Sequence, residues 1–292
     1  MRKILTVAMI IMALVIGGYL GYINGNRNQL PKGPLLAVDF LTERFGNAII
    51  VKTPEGKVTV IDPGPRKTED ALVRYLKSIN VKTFSIIISN PANEHSGCIR
   101  ELVDRFPISQ IMFGENAEES TSWKNIQGRI REKNIPQVVL SAGDTVKLSQ
   151  STKLEVLSPP KGLLKSIDYS SDNNSLIIRM SFRGKRFLLT SDIRTEAEAN
   201  LIQSRIDSSS DVLVVPHHAQ RGSTSLEMLS VVRPEYCVIS SSGFARPNTS
   251  VLRRLDPKNT GAPLYRTDKD GIIEIVTNGR TTVVNTNQSD RR

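Results

Sequence analysis

Short apolar runs alternate with amphipathic stretches along most of the chain. Leu35–Phe40, Ala48–Lys52 and Val58–Ile61 are strand-like and rich in β-branched residues, with a Pro54-Glu55-Gly56 turn before the third. Thr68–Ile79 switches to helical spacing, with Leu72, Leu76 and Ile79 on one face. The run Ile86-Ile87-Ile88 reads as a buried strand, ends in a polar loop from Ser89 to Cys98, and is followed by a helical pattern from Ile99 to Phe106. A strand at Gln110–Phe113, a helix around Trp123–Lys133, and strands at Val138–Leu140, Thr145–Leu148 and Leu154–Leu157 come next. The polar segment from Pro159 to Asp172 reads as a surface loop.

A second half-pattern follows. Ser175–Phe182 and Arg186–Thr190 are paired strands turning at Arg183-Gly184-Lys185, and a helix runs from Thr195 to about Ile206. Asp211–Val215 is a strand ending at Pro216-His217-His218, Thr224–Val232 is helical, Tyr236–Ser240 is a strand, and Ser250–Leu255 is helical. The hairpin Ile272–Val276 and Thr281–Asn285 turns at Asn278-Gly279. Meanders followed by alternating strands and helices predict two sheets packed face to face with helices outside, an α/β four-layer α/β/β/α sandwich.

Before this domain, Arg2 and Lys3 precede an apolar, charge-free run from Ile4 to Ile23. About 20 such residues suffice to span a bilayer, whereas a signal-peptide core is typically about 7–15. Residues 1–23 therefore read as one N-terminal transmembrane helix, with a cleaved signal peptide and a secreted domain as the alternative. The cationic flank places the N-terminus in the cytoplasm and the domain on the outer side of the cell membrane. Residues 24–33 read as a linker, 34–286 as the domain and 287–292 as a tail.

The chain of 292 residues carries a formal net charge of +10, spread without a Lys/Arg block. That balance suits an anionic partner such as nucleic acid, a phosphodiester or a wall polymer, and it equally suits bland solvated faces. Two cysteines, Cys98 and Cys237, offer neither a disulfide framework nor zinc spacing and read as separate buried thiols.

Candidate chemistry gathers at strand ends: Glu94-His95, Asp192 and His217-His218. All three histidines of the chain belong to this set. Imidazole and carboxylate are common ligands for borderline metals. Glu94 and Asp192 could instead cap the helices that follow them.

The Ser89–Cys98 loop resembles the His-x-His-x-Asp-His signature of the metallo-β-lactamase fold, with its positions falling on Asn90, Ala92, Glu94 and His95. Collinear blocks resemble the soluble domain of ComEC-type competence proteins and their stand-alone relatives. Among them are Ile61-Asp62-Pro63-Gly64-Pro65, Asn174-Ser175-Leu176-Ile177-Ile178-Arg179, Phe187-Leu188-Leu189-Thr190-Ser191-Asp192-Ile193, Val214-Val215-Pro216-His217-His218 and Tyr265-Arg266-Thr267-Asp268. The resemblance covers roughly residues 35–285. It implies a metallo-β-lactamase-like sandwich with Asp192 as the carboxylate shared by two metals. It implies one surviving metal position at Glu94, His95, Asp192 and His218, with His217 beside the substrate. The other position has lost its ligands at Asn90 and Ala92. A late family histidine is replaced within Ala245-Arg246-Pro247, leaving Arg246 as a candidate anion-binding cation.

Two functions follow from this resemblance. One is a degenerate, membrane-anchored binding or scaffolding module without a cofactor. The other is a hydrolase of phosphodiester or other ester bonds using one Zn²⁺ or Mn²⁺, with Asp192 and His217 as catalytic residues.

Overall fold

The computed structural model describes residues 30–115, 120–165, 168–241 and 246–287. The run Ile4–Ile23 and the tail from residue 288 lie outside the described residues. Among the described residues no helix is long and apolar enough to cross a membrane.

Among the described residues, fifteen strands form two sheets. The first contains β1 (Leu36–Phe40), β2 (Ile49–Lys52), β3 (Val58–Ile61), β4 (Phe84–Ile88), β5 (Ile108–Gly114), β6 (Gln137–Leu140), β14 (Ile272–Thr277) and β15 (Thr282–Asn287). Its spatial order is β15-β14-β1-β2-β3-β4-β5-β6. The second contains β7 (Thr145–Lys147), β8 (Thr152–Ser158), β9 (Ile177–Phe182), β10 (Lys185–Leu189), β11 (Val212–Val214), β12 (Tyr236–Ile239) and β13 (Leu264–Arg266), in the order β13-β12-β11-β10-β9-β8-β7. Each sheet changes character partway across. Its meander strands pair antiparallel, and β3 to β6 and β10 to β13 pair parallel. The C-terminal hairpin returns to the first sheet, where β14 pairs with β1.

The layers follow from which strand face is apolar. Leu36, Val38, Phe40 and Val51 of the first sheet meet Leu154, Met180, Phe182 and Phe187 of the second in one buried core. The opposite face of the first sheet packs under helices Glu69–Ser78, Ile99–Arg105 and Thr121–Glu132, through Leu72, Leu76, Leu102, Trp123 and Ile130. The outer face of the second sheet is covered by helices Thr195–Gln203, Leu226–Val232 and Thr249–Arg254, through Leu201, Met228, Val232 and Val251. The expected four layers are present. Strand and helix ends differ from the periodicity reading by one to three residues where apolar residues continue into loops, as at Thr190 and Val215. Cys98 and Cys237 are buried free thiols, and burial pushes each up to about 12.

The parallel halves matter most for function. Their carboxyl ends converge on one edge of the sandwich, the usual place for a ligand in such sheets. Two local devices fix the loops there. Gly64, at φ 92°, sits so close to Gly46 that a Cβ would lie 2.4 Å from the Gly46 carbonyl oxygen. This contact lets the Asp62–Pro65 turn accept the Cys98 amide (2.9 Å) and donate from Gly64 to the His95 carbonyl (3.2 Å). On the second sheet, the buried Glu198 carboxylate accepts the amides of Thr224 and, at 2.8 Å, Ser225, pinning the loop that follows the histidine pair.

Replacing that carboxylate leaves two amides with no acceptor, and buried unsatisfied donors cost about 1–3 kcal/mol each. Glu198→Ala should lower unfolding free energy by about 2–4 kcal/mol, read as a shifted denaturation midpoint.

Candidate metal centre

Every cavity-facing donor comes from a loop at a carboxyl end. Asp62 follows β3, Ser89 and the Glu94-His95 turn follow β4, Ser191-Asp192 follows β10, the histidine pair follows β11, and Ser240 follows β12. Together they line a cavity of about 570 Å³. The backbone is strained where it delivers them. Asp62 (φ 50°), Ser191 (φ 51°), His217 (φ 47°), His218 (φ 52°) and Ala219 (φ 61°) are left-handed without being glycine. Such a conformation costs roughly 1–2 kcal/mol per residue and is typical of functional sites.

The centre is built around His95. Its Nδ1 lies 3.1 Å from Asp62 Oδ2 and its Nε2 2.9 Å from Asp192 Oδ2. Asp62 is itself held by Ser89, whose amide donates at 2.8 Å and whose hydroxyl also donates to the carboxylate. Ser89 Oγ then meets Ser191 Oγ at 2.6 Å, joining the two sheets a second time. Burial alone would disfavour a charged imidazole. The flanking Asp192 and Asp62 outweigh it and hold the His95 pKa well above the usual range. Burial likewise favours a neutral Asp192, but His95 and His218 beside it hold that carboxyl well below the usual carboxylate range.

His218 approaches Asp192 from the other side. Its Nε2 is 3.6 Å from Asp192 Oδ1, and its Nδ1 hydrogen-bonds the Ser240 carbonyl. Donor atoms of Glu94, His95 and Asp192 lie within 4.8 Å of one another. Neither acid is a helix cap. The turn Asn93–Ser96 and the helix Thr195–Gln203 both start without a side-chain cap.

This donor set fits one metal ion. An imidazole ligates only through a bare nitrogen, and the partner of its other nitrogen selects that nitrogen. Oxygen acceptors at both Nδ1 atoms keep the proton there and turn both Nε2 atoms toward Asp192. The Asp62–His95 pair is the carboxylate–imidazole arrangement that orients metal-ligating histidines.

Asn90 and Ala92 stand where the family signature has its first two histidines. Asn90 is buried and ties the loop to the second half of the chain, donating to Ser175 Oγ (3.0 Å) and accepting from the Ala92 amide (2.9 Å). Neither Asn90 nor Ala92 lines the cavity. Arg246 is exposed, and its carbonyl accepts Gln220 Nε2 at 2.9 Å; it is not among the cavity-lining residues.

His217 also lines the cavity, and burial lowers its pKa, so it is neutral at pH 7. Arg194 approaches its Nε2 (3.5 Å), pairs with Asp172 (2.7 Å) and stacks on Tyr169 (3.8 Å). Residues Asp172 and Tyr169 belong to the segment read from sequence as a surface loop. In the structure it forms a turn of helix, Ser170–Asn173, whose Asn173 side chain accepts the Arg194 amide at 3.2 Å. Asp62, Ser89, Ser191, Asp172 and Arg194 are the site residues not assigned from sequence. Asp62 had a visible signal, a carboxylate ending an apolar strand as Asp192 does.

Charge at the cavity opposes that of the whole chain. Among the described lining residues, the carboxylates Glu43, Asp62, Glu94 and Asp192 face one lysine, Lys67, which pairs with Glu43 at 3.6 Å.

No family model matches the chain. It is 24% identical over 211 residues to ComE operon protein 3 of Bacillus subtilis (strain 168), covering 70% of this chain and 26% of that protein. It is 27% identical over 235 residues to Recombination protein 2 of Haemophilus influenzae, covering 78% of this chain and 27% of that protein. The chain thus spans about a quarter of the length of these curated relatives. A mutant of the β-hydroxylase CmlA superposes with a TM-score of 0.50 at 11% identity, over 81% of this chain and 53% of that one. Its parent, CmlA from Streptomyces venezuelae, described as a diiron β-hydroxylase, gives 0.49. The paired sheets and the site carried on their carboxyl-end loops fit the metallo-β-lactamase fold. Within that fold the chain resembles the ComEC-like competence proteins.

Removing the orienting carboxylate should weaken metal binding without removing a ligand. Asp62→Asn should lower metal affinity about 10–100-fold, measured by competitive chelator titration. The pH dependence of the metal-free protein follows from the two shifts. The raised His95 pKa contributes stability that is complete below the unfolded value of about 6.5 and lost as pH rises through the folded value. The depressed Asp192 pKa contributes stability present above about 3.9 and lost as pH falls through its folded value. Metal-free denaturation midpoints should therefore peak between those limits, and metal affinity should rise with pH as the His95 proton is displaced.

Proposed function

We propose that this chain is a single-metal member of the ComEC-like group that hydrolyses an ester or phosphodiester bond. The observation that carries the reading is the pair of Nε2 atoms presented to opposite oxygens of Asp192, each imidazole locked at Nδ1. Glu94, His95, Asp192 and His218 would hold one Zn²⁺ or Mn²⁺. Such an ion supplies Lewis acidity and a nucleophile from water at neutral pH. The residues do the rest. Asp62 orients His95, Asp192 joins the two histidines, and neutral His217 contacts the substrate from the cavity wall.

A second reading is a binding or scaffolding module that takes an ion or an anion without turnover. It is favoured by the sealed position of Asn90, because the two-metal arrangement implied by the family signature has no donors there. In either case the apolar run Ile4–Ile23 would anchor the domain to the membrane, on its outer side.

Elemental analysis of the purified full chain after Zn²⁺ or Mn²⁺ loading, beside His95→Ala, tests the centre. About one ion per chain is expected, and none in the variant. Absence of metal after loading removes the hydrolase. Turnover of bis-p-nitrophenyl phosphate or p-nitrophenyl esters should fall at least about 100-fold in Asp192→Asn. A metal-loaded chain with no turnover of either substrate selects the binding module.

A further inference from the structure

The cavity is lined by two unlike groups of side chains. One is Glu94, His95, Asp192 and the histidine pair. The other is Ile49, Ile61, Ile178, Leu189 and Val214. These side chains belong to the inner faces of β2, β3, β9, β10 and β11 and are part of the core shared by the two sheets. The core therefore forms part of the wall of the cavity that the donor set also lines. At about 570 Å³ the space falls within the usual range of small-ligand sites, about 300–1,000 Å³.

We infer that the substrate is a small ester carrying a compact apolar group, an alkyl or aromatic substituent, which enters the space between the sheets while the ester lies at Asp192. The inference rests on the single-metal reading of the same centre and adds the class of substrate. Two observations converge on it. An apolar chamber gains affinity only from an apolar occupant, because a polar group placed there has no partner. The charged lining also disfavours a polyanion. Four carboxylates face one lysine, so a bound divalent ion still leaves a net negative formal charge among the described lining residues. Strand-long nucleic acid binding instead needs rows of cations and stacking aromatics, and among the described residues that line this cavity none is Phe, Tyr or Trp. The overall charge of +10 lies elsewhere on the molecule.

The test is an isothermal titration series of methyl-, butyl-, hexyl- and phenylphosphonate on the Zn²⁺-loaded full chain. A phosphonate keeps the anionic head and cannot be hydrolysed. Each buried methylene is worth about fourfold in affinity, so hexylphosphonate, with five more methylenes, should bind roughly 1,000-fold more tightly than methylphosphonate. Val214→Phe, which fills the chamber, should cut that gap to below about tenfold, with metal content as the control for folding. Should that variant fail to fold, Ile178→Ala enlarges the chamber and should move the preference toward octylphosphonate. Equal affinity across the series in metal-loaded protein overturns the inference and leaves the metal centre standing. Displacement of hexylphosphonate by a short single-stranded DNA oligonucleotide overturns it as well. If no metal is taken up, the series on metal-free protein separates the claims. Chain-length dependence then supports the apolar chamber although the metal reading has failed, and its absence overturns both.

Discussion

One imidazole held between two carboxylates governs this structure. His95 leaves the first sheet after β4, Asp62 leaves the same sheet after β3, and Asp192 leaves the second sheet after β10. Three ionisable groups buried together are tolerable only if each finds an opposite charge or a hydrogen bond, since an unpaired buried charge costs several kcal/mol. The requirement sets the distance between the two carboxyl-end loops. It is reinforced by Ser89 and Ser191, which meet across the same seam. The strained left-handed residues at Asp62, Ser191 and His217–Ala219 are the conformational cost of bringing these loops together.

The same trio can be closed by a proton or by a metal ion. With a proton on each nitrogen, His95 satisfies both acids, and the cluster behaves as a buried ion network. With an ion, Nε2 gives up its proton while Nδ1 keeps the bond to Asp62, so the histidine need not move. His218 matches this arrangement, because its Nδ1 is already committed to Ser240. Glu94 differs from the other donors in being exposed, and its longer arm gives it the reach to close over an ion from the solvent side. A buried network serving only stability would have no need of a second imidazole oriented at the free oxygen of Asp192.

The fold was largely legible because one-sided burial imposes period-two alternation on strands and a helical stripe on helices. Leu72 and Leu76, or Val38 and Phe40, announce their faces directly. The site was legible as far as its residues end strands: Glu94, His95, Asp192 and the histidine pair all meet at one cavity. Asp62 carries the same signature and was passed over because a Pro-Gly turn explains an aspartate well enough. Arg194, Asp172 and Tyr169 had no signal. Their contact exists only because the helical turn Ser170–Asn173 folds against the start of the next helix, and its polar composition reads as solvent-facing loop. Arg246 marks a limit of motif alignment. Position in an aligned motif says nothing about direction, and its side chain is exposed outside the cavity lining.

Asn90 shows how half of a site can be absorbed into the scaffold. A side chain at a ligand position must either face the cavity or find partners elsewhere. Asn90 finds Ser175 and its own loop, while the Ser89 carbonyl accepts the Leu176 amide at 2.8 Å. These neutral hydrogen bonds splice the end of β4 to the entry of β9. Neutral bonds of this kind contribute about 1 kcal/mol each and carry no charge into the cavity. The chamber wall beside the remaining donors is therefore apolar, with Leu176 and Ile178 reaching it from β9 and the residues leading into it.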